Sequence, residues 1–173
     1  MKLTWFGGTT LRVYAGGEIV VVDAAGAPAG VDRGEILAGA DHELLSAEPD
    51  TGSWLDSATW RPPARPAPID APPPLEIHRI AADSLLVAAA GEPPLVLLGA
   101  DAPPRFGRWA DGAVVVVTAA PGSRVRDLLA LARPRLIALA LDAARLDAAV
   151  AALAPHLDGT GLVALEPGLA LEV

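Results

Sequence analysis

The side chains able to hold a metal or move a proton are few: the histidines His42, His78 and His156, and acids clustered near residues 23, 48–50 and 101. The chain has no cysteine, so thiolate ligation and disulfides are excluded. Residues 44–56, "LLSAEPDTGSWLD", read as a buried strand delivering a loop, the usual position of a chemical site, yet the loop carries no histidine or activated nucleophile. Its Asp50 and Glu48, with Asp101, Asp23 and His42, are the candidates for one hard divalent cation, which prefers oxygen ligands. Asp23 and Asp101 fall at strand ends, where Asp equally serves to cap turns. His42 opens the strand before the loop and also reads as a surface residue. His78 shares a strand face with Ile80, and His156 lies near a helix end; the three histidines have no metal-motif spacing. Ser46, Ser53 and Ser84 lack a Gly-x-Ser-x-Gly context, and "FGGTT" and "APGS" lack phosphate-loop spacing.

A second group is aromatic. Trp54 and Trp60 follow the loop, and Trp109 sits in "RFGRWADG", after the Asp101 segment. Aromatic side chains are enriched in binding hot spots, so these three are the candidate ligand or partner pocket; core filling is the competing role.

The elements that must position these residues follow from periodicity. "KLTWFG" and "TTLRVYA" alternate as strands, and Gly16-Gly17 supplies a hairpin turn before the apolar run "IVVVD". "EILAGA" suits a short helix or turn, and "HELLS" a strand. The proline-dense stretch 62–74 is predicted as a surface crossing within one domain of residues 1–173. "LEIHRIA", "SLLVAAAG", "PLVLLGAD", "GAVVVVTAA" and "RLIALAL" are predicted strands; "SRVRDLLALARP" and "DAARLDAAVAALAPHL" are predicted helices, the second capped by Asp142. "GLVALEPGLALEV" is expected to close the chain as two strands around a Pro-Gly turn. Strand-rich first half and alternating second half suit an α/β (α+β) sandwich, two mixed sheets flanked by helices.

The net charge of −8 argues against a nucleic-acid or anionic-membrane partner, both of which need basic surface. The N-terminal "MKLTWFGGTT" lacks a signal-peptide core, and no uninterrupted apolar run is long enough to span a bilayer, so a cytoplasmic location is expected.

Taken in order, "MKLTWFGGTTLRV", "GGEIVVVDA", "ADHELLS", "LVLLGADAP", "ARPRLIALAL" and "LVALEPGLALEV" resemble the metallo-β-lactamase-like hydrolases, in the branch holding the ascorbate-phosphate lactonases. The resemblance implies the αββα sandwich already reached. It also implies a metal site whose ligands are missing here. Gly8 stands where the family has a histidine after Trp-Phe-Gly. Ala47, Pro49, Thr51 and Gly52 replace the HxHxDH loop, and Leu141 replaces the late histidine. Asp101 resembles the metal-bridging aspartate, and Asp23 a framework acid beside the site. A dinuclear hydrolytic centre needs several convergent imidazoles and carboxylates. The reading is therefore a non-catalytic pseudoenzyme that binds a partner protein or small ligand, with no cofactor expected. The alternative is a metal-dependent hydrolase with one divalent cation on Asp101, Asp23, Asp50 and His42. Homo-oligomerisation through an exposed strand or the Ala-rich helix of residues 142–157 is a further expectation.

Overall fold

The computed structural model describes residues 1–47, 54–64, 75–99, 105–119 and 122–173. Most of the proline-dense stretch, and with it Glu48, Asp50 and Asp101, lies outside the described residues.

Strands β1 (Lys2–Gly7), β2 (Thr10–Ala15) and β3 (Glu18–Val22) form an antiparallel meander. Gly16 and Gly17 make the second turn at φ 62° and 89°, the left-handed pair a tight hairpin requires. β4 (His42–Leu44) runs parallel to β3, and β11 (Ala170–Glu172) antiparallel to β1, giving the order β11-β1-β2-β3-β4. The second sheet holds β5 (Leu75–Ala81), β6 (Ser84–Ala89), β7 (Leu95–Leu98), β8 (Val114–Val117), β9 (Leu136–Leu139) and β10 (Gly161–Ala164). Its order is β10-β9-β8-β7-β6-β5, antiparallel from β5 to β7 and parallel beyond.

The sheets pack face to face. Leu3, Trp5, Leu11, Val13, Val20 and Val22 meet Leu85, Val87, Leu95, Leu97, Val114 and Val116 in the inner core. Residues of opposite parity on the second sheet, among them Leu86, Val96, Val115 and Ile137, face outward. There they meet α2 (Gly122–Leu131) and α3 (Ala143–Leu153) through Val125, Leu128, Ala149 and Leu153. Burial on both faces is why these strands are apolar throughout rather than alternating. On the outer face of the first sheet, α1 (Arg33–Leu37) places Ile36 against Val21 and Ala24. The result is two mixed sheets between helices, the sandwich expected from the strand-rich first half and alternating second half.

One detail departs from the sequence reading, and a second adds to it: the closing strands flank a Pro167-Gly168 turn as expected but lie in different sheets. β4 is not a buried strand: His42 and Leu44 are half-buried and Glu43 is exposed, because β4 is the edge of its sheet with a single neighbour. The last two strands do not pair with each other. β10 joins β9, the chain crosses at buried Leu165, and Gly168 donates to the Trp5 carbonyl (2.7 Å) before β11 joins β1. Asp142 caps α3 as predicted, its carboxylate accepting from the Arg145 amide at 3.1 Å.

Candidate functional site

β3 and β4 deliver their C-terminal ends to one edge of the first sheet, and Asp23 is the residue that follows β3. It takes φ 52°, the one non-glycine residue with positive φ among those described. Asp tolerates this conformation better than most side chains, and here hydrogen bonds at its amide, carbonyl and carboxylate hold it. Its amide donates to the Leu44 carbonyl (2.8 Å), and its carbonyl accepts from Thr10 Oγ1 (2.7 Å). Its carboxylate accepts from the Ser46 amide (2.7 Å) and from Ser46 Oγ.

Ser46 is also gripped from the other sheet. Arg79, on β5, donates through Nη1 to the Ser46 and Ala82 carbonyls (3.1 Å for Ala82) and through Nη2 to the Leu45 carbonyl at 2.7 Å. A guanidinium therefore fastens the start of the loop on one side while the Asp23 carboxylate fastens it on the other.

His42 points elsewhere. Register places it beside Val20, three residues before Asp23, which is about 10 Å along a strand. Its Nε2 lies 2.6 Å from Glu18 Oε2, further still from the loop. His78 is likewise engaged, with Glu76 at 3.2 Å. Among the described residues no three His, Asp or Glu side chains come together in a metal-binding group.

Among the described residues, which do not include Asp50 and Asp101, the side chains present do not assemble a zinc site of the kind the resemblance implies. Asp23 is committed to Ser46, His42 lies at the wrong register, and the Arg79 cation occupies the adjoining carbonyls. A fixed positive charge one residue away opposes a dication. Two positions that the resemblance aligned with family ligands are otherwise engaged. Gly8 sits at φ 56° with its carbonyl accepting from the Trp5 indole (3.0 Å), and Leu141 is buried in the helix-side core.

The aromatic residues separate into two places. Trp60 and Trp109 meet edge to face with centroids 5.0 Å apart, and Phe106 adds a second such contact to Trp109 at 5.9 Å. Trp54 is 46% exposed and has no ring contact among the described residues. The Trp pair lies on the outer face of the second sheet, packed with Leu55 and Phe106 against the helix-side core. Loops thus cover the part of that sheet which α2 and α3 leave open, and the rings serve as core on one side.

On the other side they line a cleft of about 680 Å³ with Ala58, Thr59, Arg61, Pro62 and Arg108. Its two walls, residues 54–64 and 105–112, are stitched by Ser57, which is 2% exposed. Ser57 Oγ donates to the Arg105 carbonyl, and the Ser57 carbonyl accepts from Trp109 Nε1 at 2.7 Å. A Cβ on Gly107 would lie 2.6 Å from the Ala58 carbonyl oxygen, so the walls approach as closely as only glycine permits. Trp60 Nε1 reaches Glu76 at 3.4 Å. The sequence reading singled out both tryptophans but missed Ser57, Arg61 and Arg108. The available signal was the repeated pairing Trp60-Arg61 and Arg108-Trp109.

No family model matches the chain, and no curated protein matches it. Among solved structures, one from Thermotoga maritima, described as a Zn-dependent hydrolase of the metallo-β-lactamase superfamily, superposes with a TM-score of 0.49 at 12% identity, over 96% of this chain and 99% of that one.

Proposed function

We propose that this chain is a non-catalytic protein of metallo-β-lactamase-like architecture that binds a small ligand, with the Trp60–Trp109 cleft as its site. The observation that carries the reading is the fate of the acid and imidazole nearest the degenerate loop. Asp23 is bonded to Ser46, and His42 is bonded to Glu18 about 10 Å along the strand in register. Side chains already holding the backbone in place are poor candidates for a metal's first ligands, which must converge on one point. The cleft, by contrast, has preformed walls and engaged indole N–H groups, the properties of a binding site rather than of a reacting one.

Elemental analysis tests this reading. Untagged protein, purified without chelator and then challenged with Zn²⁺, Mn²⁺ and Ca²⁺, is expected to retain no stoichiometric metal and to gain no thermal stability. Retention of a transition metal near one equivalent, with turnover of an ester, lactone or phosphodiester, would overturn it.

A further inference from the structure

We infer that the ligand of the Trp60–Trp109 cleft is a small molecule in which a flat ring carries a phosphate or carboxylate group. This rests on the binding reading above and specifies its ligand. Both indole N–H groups are already used, Trp109 on the Ser57 carbonyl and Trp60 on Glu76, so the tryptophans offer a ligand ring surface rather than hydrogen bonds. The charged side chains lining the cleft are Arg61 and Arg108, both exposed, and neither has a hydrogen bond or ion pair with a described residue. Arg33 is committed to Glu43, Arg145 to Asp142, Arg133 to Asp158 and Arg12 to backbone carbonyls, while Arg105, Arg124 and Arg135, whose side chains also have no such bond to a described residue, do not line the cleft. Two uncommitted guanidinium forks beside aromatic surface match a planar group joined to an oxyanion.

The charge of the whole chain sharpens the assignment. At −8 the overall field repels anions, so attraction must come from side chains at the site itself. The described acids next to the cleft are turned to other partners. Asp56 accepts from the Ala58 amide and Thr59 Oγ1, and Glu76 from Trp60 and His78. A volume of about 680 Å³ suits a small molecule, and the Ser57 stitch and the Gly107 contact keep the walls in place without one.

The test is calorimetric titration with phenyl phosphate, benzoate, inorganic phosphate and phenol at low ionic strength, followed by tryptophan fluorescence. Phenyl phosphate or benzoate should bind at least about tenfold more tightly than phosphate or phenol, since only they engage both ring and arginines. Arg61→Ala combined with Arg108→Ala should weaken that binding about a hundredfold and leave the urea midpoint unchanged. Arg135→Ala, an exposed arginine away from the cleft, should leave binding unchanged. Equal affinity for phenyl phosphate and phosphate, undiminished binding by the double variant, or no saturable binding of any probe would overturn the inference. Phenol binding as tightly as phenyl phosphate would overturn the anion assignment while leaving the binding reading intact. Stoichiometric metal with turnover would instead remove the reading beneath it.

Discussion

Arg79→Met tests whether the loop after β4 is held by a cation. Methionine keeps much of the aliphatic stem and removes the fork that reaches the Leu45, Ser46 and Ala82 carbonyls. The bonds to Ser46 and Ala82 are partly buried, and each is worth about 1 kcal/mol net. The bond to Leu45 is exposed, and water replaces it at little cost. The expected loss is about 2 kcal/mol. With a urea slope of about 2 kcal/mol per M, the midpoint should fall by about 1 M without a change in slope. Urea titrations at pH 7, read by far-ultraviolet circular dichroism and by tryptophan fluorescence, measure it directly. Arg79→Lys should recover less than half of the loss, because one ammonium cannot span three carbonyls as a planar fork does. A midpoint within about 0.2 M of the parent for Arg79→Met would refute the clamp.

Arg12→Gln addresses the equivalent device on the first sheet, where the guanidinium bonds the Glu35, Ile36 and Ala38 carbonyls at 3.2, 2.7 and 2.7 Å. A five-residue helix cannot sustain itself, so hydrogen exchange of the α1 amides should accelerate while the β6–β9 amides stay protected. Uniform acceleration across both would contradict the local role. Gly99→Ala should cost about 2 kcal/mol, since a Cβ there would overlap the Asp83 carboxyl and lie 2.5 Å from its carbonyl oxygen; an unchanged melting temperature would show that this contact gives way freely. Asp142 has its pKa held below the ordinary carboxylate value, chiefly by the side-chain hydrogen bond from Arg145. A lowered folded value means its contribution is present above the ordinary value and lost as pH falls through the folded one. Asp142→Ala should therefore melt earlier than the parent at pH 7, with the gap closing below about pH 4; a gap independent of pH would disprove the linkage.

The fold was legible because its strands announce themselves. Runs such as "VVVV" at 114–117 have no polar position to offer solvent, which requires a sheet covered on both faces. The Gly16-Gly17 turn and the Asp142 cap were readable for the same kind of reason, since each is a local rule satisfied by adjacent residues. Sheet membership was harder. Nothing local in "GLVALEPGLALEV" distinguishes a hairpin from a crossing, because the decision rests on partners at residues 136–139 and 2–4. The site was less legible still. Asp23 was noted as an acid, but its bond to Ser46 and the reach of Arg79 across from the other sheet join chain segments 23 and 33 residues apart. Trp54 was grouped with Trp60 and Trp109 because all three flank the loop and the Asp101 segment, yet Trp60 meets Trp109 while Trp54, six positions earlier, has no ring contact among the described residues.

The pairing of β11 with β1, Lys2 opposite Glu172, has a consequence for how the chain acquires its shape during synthesis. β1 is made before every other strand of the two sheets, yet the neighbour on its open side is made after all of them. Until then the β1–β3 meander has a bare edge, and Trp5 lacks the bond its carbonyl receives from Gly168. The six-stranded sheet, built from residues 75–164, can assemble beforehand. The meander would then dock onto a finished surface, and its closing strand, synthesised after the other ten, would complete it.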